Sequence, residues 1–318
     1  MKKVLITGLT GFAGSFLAEH LLNIGGYEIC GTFISENSIG NVAHIKDRLD
    51  LIRVDLMNKD AVKSLIATKN SDEIYHLAAL ASPGKSFENP SEVITNNITA
   101  QINVLEGVKN ESPSTKILII SSADIYGKVS PENLPIDENT PFNPTNPYAV
   151  SKLAQDYLGL QYCNSYGLDI IRVRPFNHVG PRQALSFALS DFAKRIVDIE
   201  KGATPPVLKV GNLSAKRDFT DVRDMVRAYA LLLEKGVKGD MYNIGSGTSH
   251  SMQQIATLMQ SMSKVTFTLE EDPKLMRPSD TPELVCDNTK MKELTGWKPE
   301  IPLETTVKDI LDYWRNIQ

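Results

Sequence analysis

The stretch Val4-Leu5-Ile6-Thr7-Gly8-Leu9-Thr10-Gly11-Phe12-Ala13-Gly14-Ser15 decides the fold. Residues 4–7 are apolar and bounded by a glycine, the mark of a short strand, and residues 15–24 carry Phe16, Leu17, His20 and Leu21 at helical spacing. Between them Gly8, Gly11 and Gly14 stand three apart. Glycine permits a tight turn, lets backbone approach a pyrophosphate, and lets a helix pack closely on a strand. The helix that follows offers uncapped N–H groups and the positive end of its dipole to phosphate. Three glycines by themselves also suit a purely structural turn. Placed between a strand and a helix, they predict a dinucleotide-binding turn, with Gly8, Gly11, Phe12, Ala13 and Gly14 as its contacts.

Working outward, strand patterns recur at 28–33, 51–54, 73–76, 116–121 and 169–173, with helical patterns between them, notably 94–109 and 148–166. Strands alternating with helices predict an α/β fold, a Rossmann-type doubly wound parallel sheet with right-handed crossovers. Near Arg174 the pattern changes. Pro175, Pro181, Pro205 and Pro206 punctuate a loop-rich stretch around a helix at 187–201. A helix at 222–235 and a strand at 241–244 are placed to return to the parallel sheet, and from Ser249 short helices mix with prolines. The expected division is a dinucleotide-binding domain of 1–173 plus about 220–247, and a smaller, irregular α/β C-terminal substrate domain of about 174–219 and 248–318.

Composition narrows the function. The 318 residues are 42% hydrophobic and 23% charged, ordinary for a globular chain with a sizeable core. Lys and Arg number 34 against 38 Asp and Glu, a net charge of −4, which argues against coating nucleic acid or an anionic membrane. Cys30, Cys163 and Cys286 are odd in number and widely spaced, so they form neither a disulfide framework nor a metal knuckle, and no metal site is expected. The apolar run after Met1-Lys2-Lys3 ends at Thr7-Gly8, too short for a secretory or membrane segment. A cytoplasmic enzyme is expected.

The chemistry is read from two clusters. After the second strand an acid would bind a ribose 2′-OH and an arginine would favour a 2′-phosphate. Here stand Phe33-Ile34-Ser35, with Glu36 just beyond, so NADH and NADPH both remain open. Asp55, before Leu56, is placed either to meet the adenine or to cap a helix. Tyr148 and Lys152 lie at i and i+4 in Tyr-Ala-Val-Ser-Lys, which stacks them on one helix face. A neighbouring ammonium is expected to lower the phenol's pKa from about 10 toward the range of an acid–base catalyst. Such a pair also occurs on solvated helix surfaces. A second polar cluster, Ser121-Ser122-Ala123-Asp124-Ile125-Tyr126-Gly127, ends a strand where parallel sheets bind ligands, and a serine there can hold a carbonyl oxygen.

The glycine turn, His76-Leu77-Ala78-Ala79, Ser121 to Gly127 and Tyr148 to Lys152 together resemble the extended short-chain dehydrogenase/reductase family, which acts mainly on nucleotide sugars. The resemblance runs to Gly296-Trp297-Lys298-Pro299 and a last helix. Arg174-Pro175-Phe176-Asn177-His178-Val179-Gly180-Pro181 and Lys216-Arg217-Asp218-Phe219-Thr220-Asp221-Val222-Arg223-Asp224 look like the branch that reduces GDP-linked 4-keto sugars. It implies a GDP-sugar substrate, NADH or NADPH as cofactor, Tyr148 as general acid, and Lys152 holding the nicotinamide ribose. Ser122 would polarise the carbonyl, and Leu77, Ala78, Ala79 and Asn97 would contact the cofactor. Asn177 would stand at the sugar–diphosphate end, and Arg217 and Arg277 would reach substrate phosphates or ribose, although Asp218 and Asp280 stand ready to make either arginine an ordinary ion pair.

The alternative is a redox-neutral 4,6-dehydratase or epimerase. Asp124 occupies the place where 4,6-dehydratases carry a glutamate for proton work, but it is one methylene shorter. Ala123 replaces a neighbouring acid, and the glycine turn lacks the Gln-Asp of GDP-mannose dehydratases. A non-catalytic NAD(P) sensor would be marked by loss of the Tyr or the Lys, and both are present. His76, Trp297 and Trp314 read as packing residues. The family's habit of pairing subunits through a four-helix bundle implies a homodimer through helices at about 94–109 and 148–166.

Overall fold

Strand β1 (Lys2–Thr7) shows why the chain is doubly wound: from Val4 to Thr7 its side chains are buried on both faces. Val4 and Ile6 pack toward helix α1 (Phe12–Ile24), while Leu5 points the other way, into a separate apolar layer. The computed structural model describes residues 1–276 and 281–317. After α1 come β2 (Tyr27–Phe33), a run of 3₁₀ turns at Glu36–Arg48, β3 (Asp50–Arg53), α2 (Lys59–Lys69) and β4 (Glu73–His76). Next follow α3 (Pro83–Ser86), α4 (Pro90–Glu111), β5 (Lys116–Ile120), α5 (Pro147–Tyr166) and β6 (Asp169–Pro175). The chain then forms β7 (Asn177–Val179), α6 (Ala188–Glu200), β8 (Val207–Val210), β9 (Lys216–Asp221), α7 (Val222–Lys235) and β10 (Met241–Ile244). The last elements are β11 (Ser249–Ser251), α8 (Met252–Ser261), β12 (Thr268–Glu271), β13 (Glu283–Leu284), α9 (Thr289–Thr295) and α10 (Leu303–Asn316).

The seven-stranded sheet runs β10-β6-β5-β4-β1-β2-β3, and every neighbouring pair is parallel. From β1 the chain winds outward through β2 and β3, then returns to β4 and winds the opposite way. The reversal between β1 and β4 splays the crossovers apart at the carboxyl ends of the strands, which opens a crevice there. Helices α1 and α7 cover one face, and α2, α4 and α5 cover the other.

The expected return to the sheet is observed: β10 pairs with β6, Met241 opposite Arg172. The change of pattern at Arg174 falls one residue before β6 ends, and Asn177 then starts a second, smaller sheet in which β9 pairs with β7, β11 and β13. Phe192 and Ile196 of α6, Ile255 of α8 and Ile310 of α10 form that part's core.

Helix α5, which carries Tyr148 and Lys152, is bounded by local chemistry. The Asn146 side chain accepts from Ala149 N–H at 2.8 Å, Pro147 opens the first turn, and Gly167 ends the helix at φ +70°. Its middle is fastened to the sheet by charge: Arg174 donates to Asp156 at 2.8 Å and to the Tyr126 hydroxyl at 3.0 Å, all buried. Removing one member of such a buried pair costs about 3–5 kcal/mol, because it strands the other charge.

Candidate active site

A cleft of about 920 Å³ opens above the switch point. At one end the glycine turn forms its floor. Gly8 adopts φ +68°, and a Cβ there would lie 3.0 Å from Ala78 Cα. A Cβ on Gly14 would lie 2.4 Å from the Gly8 carbonyl oxygen and 2.8 Å from Leu9 Cα. Gly11 is the N-cap of α1 and brings no side chain to the first-turn N–H groups, which leaves them for a ligand. Leu77, Ala78 and Ala79 form the adjoining wall, pinned where Ala78 N–H donates to Thr7 Oγ1 at 3.2 Å. This backbone cradle, tight enough to exclude a methyl, fits the pyrophosphate of NAD(P)H. Farther along stand Ile34, Ser35, Ser38, Asp55 and Leu56. The wall beyond β2 presents hydroxyls instead of an acid or an arginine, and Glu36 turns out toward Arg53 at 3.9 Å.

At the sheet's carboxyl edge the cleft holds Ser122, Asp124, Tyr148 and Lys152. Ser122 caps the short 3₁₀ turn after β5 by accepting from Asp124 N–H at 3.1 Å, and it shares the cleft wall with the Tyr148 phenol. Lys152 Nζ donates to the Ile120 carbonyl at 2.8 Å and lies 5.9 Å from the centre of the Tyr148 ring. Tyr148 and Lys152 are therefore a buried pair, not a solvated one. Burial also overturns the expected direction of the tyrosine shift. The phenol is pushed up by desolvation first and by the Asp124 carboxylate second, with the Ser122 hydroxyl opposing. Lys152 cannot counter this, since burial has drawn its own pKa down to about 7. His76, expected to be a packing residue, is buried with Nδ1 on Thr7 Oγ1 at 2.9 Å, and burial lowers its pKa to about 3.

A family model described as GDP-mannose 4,6 dehydratase matches residues 5–310. The chain belongs to that family. It is 32% identical to the GDP-6-deoxy-D-mannose reductase of Pseudomonas aeruginosa, over 99% of this chain and 98% of that one. It is 30% identical to GDP-mannose 4,6 dehydratase 2 of Arabidopsis thaliana, over 98% and 86%. The structure of RMD from Pseudomonas aeruginosa complexed with NADPH superimposes with a TM-score of 0.86 at 31% identity, covering 99% of each chain. As a family member of the epimerase/dehydratase type, the chain is an enzyme on the short-chain dehydrogenase/reductase scaffold, as the motifs imply.

Within this family framework Asn177 and Arg217 line the far part of the cleft, at the start of β7 and on β9. Arg217 does not take Asp218 as its ion pair. Its guanidinium donates to the carbonyls of Lys216 and Thr281, both at 2.7 Å. Asp218 is fully buried and accepts from the N–H groups of Ser246, Gly247 and Cys286. Arg277 and Asp280 lie outside the described residues. Asn97 departs from expectation: it is buried beside the cleft without facing it. Its amide accepts from Leu80 N–H at 2.8 Å, and donates to the Leu80 carbonyl at 3.2 Å and to Ser151 Oγ at 2.9 Å. It therefore fastens the segment after β4 to α5, and Asn96 is its neighbour on the cleft wall. Asp55 lies two residues past β3, and the helix cap it was offered as is Asn58, which accepts from Ala61 N–H.

Sequence reasoning missed other wall residues. Thr10 and Ser38 join hydroxyls at 2.6 Å near the glycine turn, and the His178 ring stacks on Phe12 with centroids 5.8 Å apart. The phrase from Arg174 to Pro181 pointed to His178's neighbourhood. Ser38 sits in a run of 3₁₀ turns with no motif to flag it.

Proposed function

We propose that the chain reduces the 4-keto group of GDP-4-dehydro-6-deoxy-D-mannose to GDP-D-rhamnose with NADH or NADPH. The observation that carries this reading is the placement of Tyr148: a phenol buried at the carboxyl edge of the sheet, sharing the cleft with Ser122 and Lys152. Reduction of a ketone needs a proton donor at the oxygen, and a neutral phenol is that donor. A redox-neutral dehydratase or epimerase must begin by taking a proton from an alcohol, for which Tyr148 would have to be ionised against its burial. Bound NAD(P)H supplies the hydride. Ser122 and Tyr148 then hold the carbonyl oxygen in place, and Tyr148 gives its proton to O4 as C4 becomes a secondary alcohol. Lys152 holds the nicotinamide ribose by hydrogen bonds, which its amine can make whether charged or neutral. Asn177 and Arg217 meet the sugar diphosphate, and Arg277, outside the described residues, is assigned there by the resemblance alone. The identity to a GDP-6-deoxy-D-mannose reductase supports the substrate class.

Asp124 favours a second reading. It faces the same cleft, and its charge acts on Tyr148. A 4,6-dehydratase requires an acid there. Following reduced-cofactor absorbance with the keto sugar, and with GDP-mannose as control, separates the two. Stoichiometric loss with the keto sugar alone supports the reductase. Conversion of GDP-mannose without added reductant establishes the dehydratase instead.

The 1–173 plus 220–247 portion serves as the dinucleotide domain, with the remainder as substrate domain. Helices α4 and α5 pair two subunits: Ile94, Ile98 and Ile102 share one side of α4, and Val150 and Tyr157 are exposed on α5. The three buried thiols suit a cytoplasmic setting.

A further inference from the structure

Tyr229 lines the chemical end of the cleft, and the proposed reaction leaves it without a task. It sits on α7, fully buried, and its hydroxyl has no hydrogen-bond partner among the described residues. The side chain nevertheless lines the cleft. A buried hydroxyl without a partner is costly, and native interiors rarely keep one unless a ligand or ordered water completes it.

The fold tells which ligand half it can meet. Tyr148 descends from α5, on the sheet face covered by α2 and α4, whereas Tyr229 rises from α7, on the opposite face beside α1 and the glycine turn. The two phenols converge on the cleft that both line. Tyr148 has Ser122, Lys152 and Asp124 around it, and Asn177 and Arg217 lie farther out along the cleft. Tyr229 has none of these and stands on the cofactor's side. From this placement, we infer that the Tyr229 hydroxyl is a positioning partner for the nicotinamide half of bound NAD(P)H. A carboxamide presents both a carbonyl acceptor and an amino donor, and a neutral hydroxyl can serve either. The inference rests on the cofactor reading above and goes beyond it by assigning the wall behind the ring.

The test is Tyr229→Phe, which keeps the ring and deletes the hydroxyl. Calorimetric titration of the whole protein with NADH, NADPH and ADP-ribose, which lacks the nicotinamide, reads the effect. The expected result is NADH and NADPH binding weakened about fivefold to tenfold, with ADP-ribose binding unchanged. The ligand-free variant should unfold at the same or a higher temperature, since an unpaired buried group has been removed. Equal weakening of all three ligands would reveal a packing role and overturn the inference, as would unchanged NADH and NADPH binding. If the unmodified protein binds neither NADH nor NADPH, the cofactor reading itself fails and the inference falls with it. Tyr229→Met gives the same comparison should the Phe variant not be recovered folded.

Discussion

Lys152 offers a test of the site's electrostatics that needs no substrate. Its amine is buried, its hydrogen bond goes to the neutral Ile120 carbonyl at 2.8 Å, and desolvation draws its pKa from 10.5 down to about 7. Below about pH 7 the lysine is charged in both the folded and unfolded chains, and the folded protein bears the full cost of burying an ammonium. Between about pH 7 and about pH 10.5 the unfolded chain binds a proton that the folded protein has released, so stability rises with pH through that window. One such proton changes stability by about 1.4 kcal/mol per pH unit. Weighted by the fraction of folded protein already deprotonated, the gain from about pH 7.5 to about pH 9 is about 1.8 kcal/mol. Lys152→Met has no titrating amine and lacks this gain. Urea unfolding of the ligand-free protein and the variant at those two pH values measures it, and the difference between the two proteins isolates the lysine from other groups. Parallel pH dependence in both would refute the argument, and would mean that Lys152 keeps its charge when folded.

Tyr148→Phe removes the proposed proton donor and should lower kcat at least about 100-fold, with NAD(P)H affinity held within about twofold; steady-state rates and a binding titration check both. Gly14→Ala places a Cβ 2.4 Å from the Gly8 carbonyl oxygen, so α1 must shift away from the turn. It should cost about 1–3 kcal/mol in urea unfolding and weaken cofactor binding, and an unchanged midpoint would contradict the packing described. Asn97→Ala removes a buried amide that ties the Leu80 backbone to the buried Ser151 hydroxyl, a loss of about 1–3 kcal/mol measurable by the same unfolding experiment.

By itself the sequence determined the doubly wound sheet, the glycine turn and the Tyr148–Lys152 pairing. Each is written in neighbouring residues: a run of apolar side chains for a strand buried on both faces, three-residue glycine spacing for a turn a methyl would block, four-residue spacing for one helix face. The return of β10 to the sheet was legible for the same reason. Tertiary structure alone decided what those residues can do. Whether Tyr148 is a neutral acid or an ionised base depends on how deeply α5 sinks against the sheet and on where the Asp124 carboxylate comes to lie, neither of which spacing expresses. Asn97 and Asn96 are adjacent letters, yet the packing of α4 on α5 turns one amide to the Leu80 backbone and leaves the other on the cleft wall. Tyr229 carries no motif at all. Its meaning arises only because two helices on opposite faces of one sheet bring phenols to a common cleft, and because burial leaves one of the two hydroxyls without a partner.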